Sequence, residues 1–186
     1  CERDRDGYAV CEVSERTAHR FHRLRLVQVS QRYPRHVDAR LSGVKPRSVR
    51  VGHHRLYARM GLLEEAPRDW PLEEQLQRRY LLDVDGSSQS TRLYWALLSN
   101  SLVFKQATRC ANWYSDRLVP YVHYVPVRAD FADLPAQVAR MWRRPKLARS
   151  IVRRSSRLAE TWLAHEDTIH YLAVVLREIV RLSDAG

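Results

Sequence analysis

The segment that most constrains the fold of this chain runs from Tyr80 to Lys105. Tyr80-Leu-Leu-Asp-Val-Asp85 is a short, mostly apolar run that reads as a strand, and Gly86-Ser-Ser-Gln-Ser90 carries turn and helix-cap chemistry. Thr91 to Leu98 then places Leu93 or Tyr94, Leu97 and Leu98 at helical spacing, and Ser101-Leu-Val-Phe-Lys105 reads as a second strand. Val122 to Val127 reads as a third. Strand, helix, strand, intervening segment, strand is the order of a parallel α/β sheet, and crossovers in such sheets are nearly always right-handed. A Rossmann-like layer is therefore expected.

Around that centre the pattern is looser. Residues 1–22 are polar and charge-rich, without a defined period. Leu24 to Ser30 alternates apolar and polar residues and is expected to be a strand ended by Tyr33-Pro34. Residues 41–52, with Gly43, Pro46 and Gly52, are expected to be loop, and Arg55 to Leu63 a short helix. Leu72 to Gln77 reads as one or two helical turns, and the chain after Asp133 as helical to its end. Leu147, Ile151, Leu158 and Trp162 fall on one helical face, and Ile169, Leu172, Leu176 and Ile179 on another. One domain is expected over residues 23–182, with closing helices at 133–182.

Composition narrows the classes. The 186 residues are globular in make-up, and the longest clean apolar run, Tyr171 to Leu176, is far short of the ~20 residues that span a bilayer. Cys1, Cys11 and Cys110 do not make a disulfide framework, although a Cys1–Cys11 or Cys11–Cys110 bridge stays open. A start at Cys1, without Met or signal peptide, fits a processed chain or the C-terminal piece of a longer one. Net charge is +11, carried by 32 Lys+Arg against 21 Asp+Glu, and only Lys45, Lys105 and Lys146 are lysines. A tilt to arginine across a whole chain is a background, so an anionic ligand has to be argued from particular arginines. From Arg140 to Arg157 there are seven Arg and Lys146 with no acid. That run reads first as a solvated outer helix face, with a docking surface for an anionic membrane or nucleic acid as the alternative.

The chemistry is expected at the turn after Asp85. Ligands of open α/β sheets bind beyond the C-terminal strand ends, where helix N-termini offer free N–H groups. Those donors and Arg92 together suit a diphosphate; an ordinary cap by Ser87 or Ser88 is the structural alternative. Asp83 and Asp85, two apart on a strand, face the same way and could hold a divalent cation, or simply pack and shape the turn. The eight histidines show no metal-ligand spacing, and neither GxSxG, GxGxxG nor a P-loop is present.

Four stretches together resemble a known family: Tyr80 to Gly86, Ser90-Thr-Arg92, Leu97 to Lys105, and Trp113 to Val127 with its Leu-Val-Pro-Tyr-Val-His-Tyr-Val-Pro-Val ending. They are similar to the capsule-associated and protein O-glucosyltransferases, glycosyltransferase family 90, including the KDEL-motif-containing O-glucosyltransferases. Arg23 to Ser30 and Pro34 to Ala39 resemble the family's upstream strand with its Ser, Pro and Asp-Ala. The resemblance implies a GT-B-type pair of Rossmann-like domains, this chain being the C-terminal, nucleotide-sugar-binding one. It implies inverting, metal-independent transfer of glucose or xylose from a UDP-sugar substrate to a protein or glycan hydroxyl, with no cofactor and no nucleic-acid partner. A lumenal secretory-pathway location and a membrane-anchored parent protein follow from the same source. By position, the donor loop is Ser87, Ser88, Gln89, Ser90, Thr91 and Arg92, with Arg23 near a second phosphate contact and Asn112 where relatives carry an acid. Gln89 and Thr91 also depart from the family's aromatic and Gly. The general base is expected in the N-terminal domain, so no catalytic residue is named. The alternatives are an anion-binding module and an inactive transferase fragment.

Overall fold

The computed structural model describes residues 2–3, 9–10, 22–40, 70–85, 90–108 and 110–184. The expected loop at 41–52 and helix at 55–63 lie outside them, as does most of the 1–22 segment. The chain divides into two compact units, Cys1–Gln75 with Val127–Arg143, and Leu76–Pro126 with Arg144–Gly186.

The first unit contains the short antiparallel pair β1 (Glu2–Arg3) and β2 (Ala9–Val10), and helix α1 (His22–Arg32). The strand expected at Leu24 to Ser30 is therefore helix. Leu24, Leu26, Val27, Val29 and Ser30 are all buried, a wide arc of the helix rather than one narrow stripe. A helix buried that broadly can show a two-residue alternation by accident, and burial overrides the β preference of its valines. Ser30 then fixes the chain that follows: its Oγ donates to the Val37 carbonyl and accepts the Ala39 N–H, both at 2.9 Å. The Ser and Asp-Ala elements of the upstream resemblance are thus joined by one hydroxyl. Helix α2 (Leu72–Leu76) begins after Trp70-Pro71, and α4 (Leu134–Trp142) carries a Pro in its first turn, where the missing N–H costs nothing.

The second unit holds the centre of the α/β layer. Strands β3 (Tyr80–Asp83), β4 (Leu102–Gln106) and β5 (Val125–Val127) form a sheet in that order, with β3 and β4 parallel and Tyr80 opposite Leu102. Helix α3 (Arg92–Leu98) makes the crossover and buries Leu93, Ala96 and Leu97. Against it packs α5 (Pro145–Trp162), whose buried side is Ala148, Ile151, Ser155 and Ala159. Three of those four are small, which lets the helix backbones approach, and Ser155 Oγ donates to the Leu97 carbonyl at 3.1 Å. Of the face expected on α5, Ile151 is central, while Trp162 is exposed under the guanidinium of Arg117, 3.9 Å from its ring centre.

Helix α6 (His165–Ser183) carries Glu166 and Asp167 in its first turn, where negative charge is favoured, and Asp167 Oδ2 accepts the Ala164 N–H at 3.1 Å. It has no buried residue; Ile169, Leu172, Leu176 and Ile179 are each about half exposed. Tyr171 ties it down by stacking on Trp113, ring centres 4.9 Å apart. Among the described residues no helix is long and apolar enough to cross a membrane. Cys110 is exposed and unbridged, so the Cys11–Cys110 alternative is not formed.

Candidate functional site

The C-terminal end of β3 carries an unusual concentration of buried charge. Asp83, the last residue of β3, is 1% exposed, and Asp85, two residues further on, is also buried. Strand register sets Asp83 opposite Lys105 on β4, and Lys105 Nζ lies 3.9 Å from Asp83 Oδ2. Burial pushes the Asp83 carboxyl above its ordinary range; the Ser90 hydroxyl, Lys105 and Arg92 pull it down, and Asp85 pushes it further up. Tyr114 is buried beside it, its phenol pushed up to about 12 by burial first, then by Asp83 and Tyr94. Asp83 therefore neighbours cations and a phenol within the fold.

Asp85 has a different task. Its Oδ1 accepts the backbone N–H of Ser90 at 2.8 Å, which ties the end of β3 to the entry of α3 across the turn. Ser90 Oγ in turn accepts the Arg92 N–H at 3.2 Å. The cap position of α3 is Thr91, without a side-chain cap bond. Arg92 is exposed at the first helical position, and its guanidinium makes no ion pair among the described residues. A planar cation with free donors at a strand's C-terminal edge is suited to two phosphate oxygens.

Of the other residues expected at the site, Ser87, Ser88 and Gln89 lie outside the described residues. Ser90, Thr91 and Arg92 come together with Asp83 and Asp85. Asn112 is half-buried, with its backbone N–H donating to Ser115 Oγ at 2.8 Å in the turn that contains Tyr114. Arg23 is exposed on α1 of the first unit. Lys105 and Tyr114 were not singled out from the sequence. Only register and packing place them beside Asp83.

The most family-specific stretch turns out to be a clipped turn. His123 Nδ1 accepts the Val119 N–H at 3.0 Å, the Val122 and His123 N–H groups return to the Val119 carbonyl, and Tyr121 N–H donates to the Tyr124 carbonyl. Tyr121 sits at φ 60°, a conformation held only because these bonds over-determine it. Burial, then the charge of Arg154, lowers the His123 pKa below its ordinary 6.5. The imidazole must be unprotonated at Nδ1 to accept, so protonation opposes the native turn. The unfolded chain binds this proton first: stability present above about pH 6.5 is lost as pH falls toward the lowered folded value. The melting temperature measured from pH 8 to pH 5 should fall with this component, and His123→Asn should flatten it. An unchanged slope in the variant would assign the pH dependence to other groups.

Beyond the geometry, the model of one family, described as Glycosyl transferase family 90, matches residues 3–184. The chain belongs to glycosyl transferase family 90. Its relatives include "O-glucosyltransferase LpsA" of Dichelobacter nodosus, 31% identical over 148 residues, covering 79% of this chain and 41% of that protein. "Protein O-glucosyltransferase 1" of Rattus norvegicus is 28% identical over 113 residues, covering 61% and 29%. "Protein O-glucosyltransferase 3" of Homo sapiens is 26% identical over 162 residues, covering 86% and 29%. The chain thus spans about two fifths or less of the length of these family 90 relatives.

Proposed function

We propose that this chain is the donor-nucleotide part of a UDP-sugar-dependent O-glycosyltransferase that transfers glucose or xylose, with inversion, to a protein or glycan hydroxyl. The observation that carries the reading is Arg92, exposed and without an ion pair among the described residues, at the entry of α3 beside the C-terminal end of a parallel strand. Departure of UDP leaves two negative phosphates, and a guanidinium already in place stabilises that charge as the glycosidic bond to the donor breaks. A base must also remove the acceptor hydroxyl's proton. No residue described here is assigned that part. The GT-B-type partner domain expected from the resemblance belongs to the same proposal.

Metal-independent transfer is supported by the surroundings of the two aspartates. Asp83 lies 3.9 Å from the Lys105 ammonium and Asp85 spends one oxygen on the Ser90 N–H, so each carboxylate already has a task within the fold. UDP at a hundredfold excess over its dissociation constant should add about 2.7 kcal/mol to stability, readable as a raised melting temperature. The shift should be the same in EDTA. A folded sample whose melting is unmoved by millimolar UDP contradicts the donor-binding reading; a shift that needs Mn²⁺ or Mg²⁺ contradicts only its metal independence.

A further inference from the structure

We infer that the outer face of α5 is a docking surface for an anionic lipid bilayer. Lys146, Arg149, Arg153 and Arg157 recur at three- and four-residue intervals and are all exposed, directly opposite the buried Ala148, Ile151, Ser155 and Ala159. The stripe is about 17 Å long at the rise of an α-helix. Among the described residues none of the four has a carboxylate within ion-pair distance, and Glu160 is the single acid of the helix. A merely solvated face usually mixes signs, because like charges four apart weaken a helix. Arg149, Arg153 and Arg157 form two such pairs in succession; Glu160, exposed three residues after Arg157, is the one acid near their face, and among the described residues none of the three has an ion-pair partner. A local conflict left unrelieved inside the molecule points to a partner outside it.

The chemistry of the stripe selects a lipid surface over nucleic acid. Before Trp162 the helix has no aromatic residue on which an unpaired base could stack. It offers four cations in a straight row, on a helix held along its opposite side, which suits a plane of phosphate and carboxylate headgroups. This surface is independent of the UDP site.

The test is co-sedimentation of the chain with vesicles of phosphatidylcholine alone or with about a third phosphatidylserine, at low and physiological salt. Binding is expected only to the serine-containing vesicles, weakening with salt. Removing three charges as Arg149→Gln, Arg153→Gln and Arg157→Gln should cost on the order of a hundredfold in vesicle affinity. The same charge removed elsewhere, as Arg25→Gln, Arg35→Gln and Arg177→Gln, should cost much less. If the triple stripe variant does not fold, Arg153→Gln alone should lose about fivefold. No binding to anionic vesicles overturns the inference, as do equal losses in the two triple variants. So does tighter binding to a mixed-sequence oligonucleotide at the same salt. UDP affinity should stay unchanged in the stripe variant; its collapse in a folded sample would assign the stripe to the nucleotide site.

Discussion

Arg92→Lys should weaken UDP binding although it keeps the charge, and Arg92→Ala should lose about 2 kcal/mol, roughly thirtyfold, in the range of charge-assisted hydrogen bonds. The reason lies in shape as much as in sign. A guanidinium presents parallel N–H donors that match two phosphate oxygens, and an ammonium cannot reproduce that fork. The backbone beneath it is held before any ligand arrives, because Asp85 fixes the Ser90 N–H and Ser90 fixes the Arg92 N–H. Ser90 and Arg92 themselves then need little ordering at the moment of binding, which favours affinity. The competing account makes Arg92 a surface residue whose stem covers Tyr94 or Trp95, and on that account the lysine substitution is silent. Titrating UDP into wild type, Arg92→Lys and Arg92→Ala at two salt concentrations distinguishes them. Equal affinities mean that the diphosphate lies elsewhere.

Leu97→Ala should destabilise the second unit by about 2–5 kcal/mol, a large share of the roughly 5–15 kcal/mol that folded domains of this kind possess. Leu97 is fully buried in the cluster formed with Leu81, Leu93, Val103, Tyr114 and Ala159. Its carbonyl also receives the Ser155 hydroxyl from α5, so the neighbourhood is held from both sides and cannot collapse easily into a cavity. The next residue provides the control. Leu98 is on the same helix but substantially exposed, and Leu98→Ala should change stability by well under 1 kcal/mol. Urea denaturation of the two variants reads the difference directly. Comparable losses would mean that α3 is not seated on the core by its Leu93, Ala96 and Leu97 side.

Much of the α/β centre is legible in the sequence because it is written in short-range terms. β3, α3 and β4 each carry their own periodicity, and the change from strand to helix is marked by Gly86 and a run of hydroxyl residues. The family was legible for the same reason: its marks are contiguous stretches between Tyr80 and Val127, and the match extends over residues 3–184. The expected loop residues Ser90, Thr91 and Arg92 do meet at the β3 end.

What the sequence could not decide depends on neighbours far along the chain. Leu24 to Ser30 reads as a strand by its alternation, and broad burial makes it α1 instead. The spacing of Asp83 and Asp85 admits a cation or a structural role. Register alone sets Lys105 across from Asp83, and the folded turn sets the Ser90 N–H on Asp85. The apolar stripes of α5 and α6 look alike in sequence, yet Ile151 is buried and Leu172 is half exposed. Periodicity fixes which side chains share a face. Whether that face, or a charge upon it, is removed from water depends on what packs against it, and that is a property of the assembled fold.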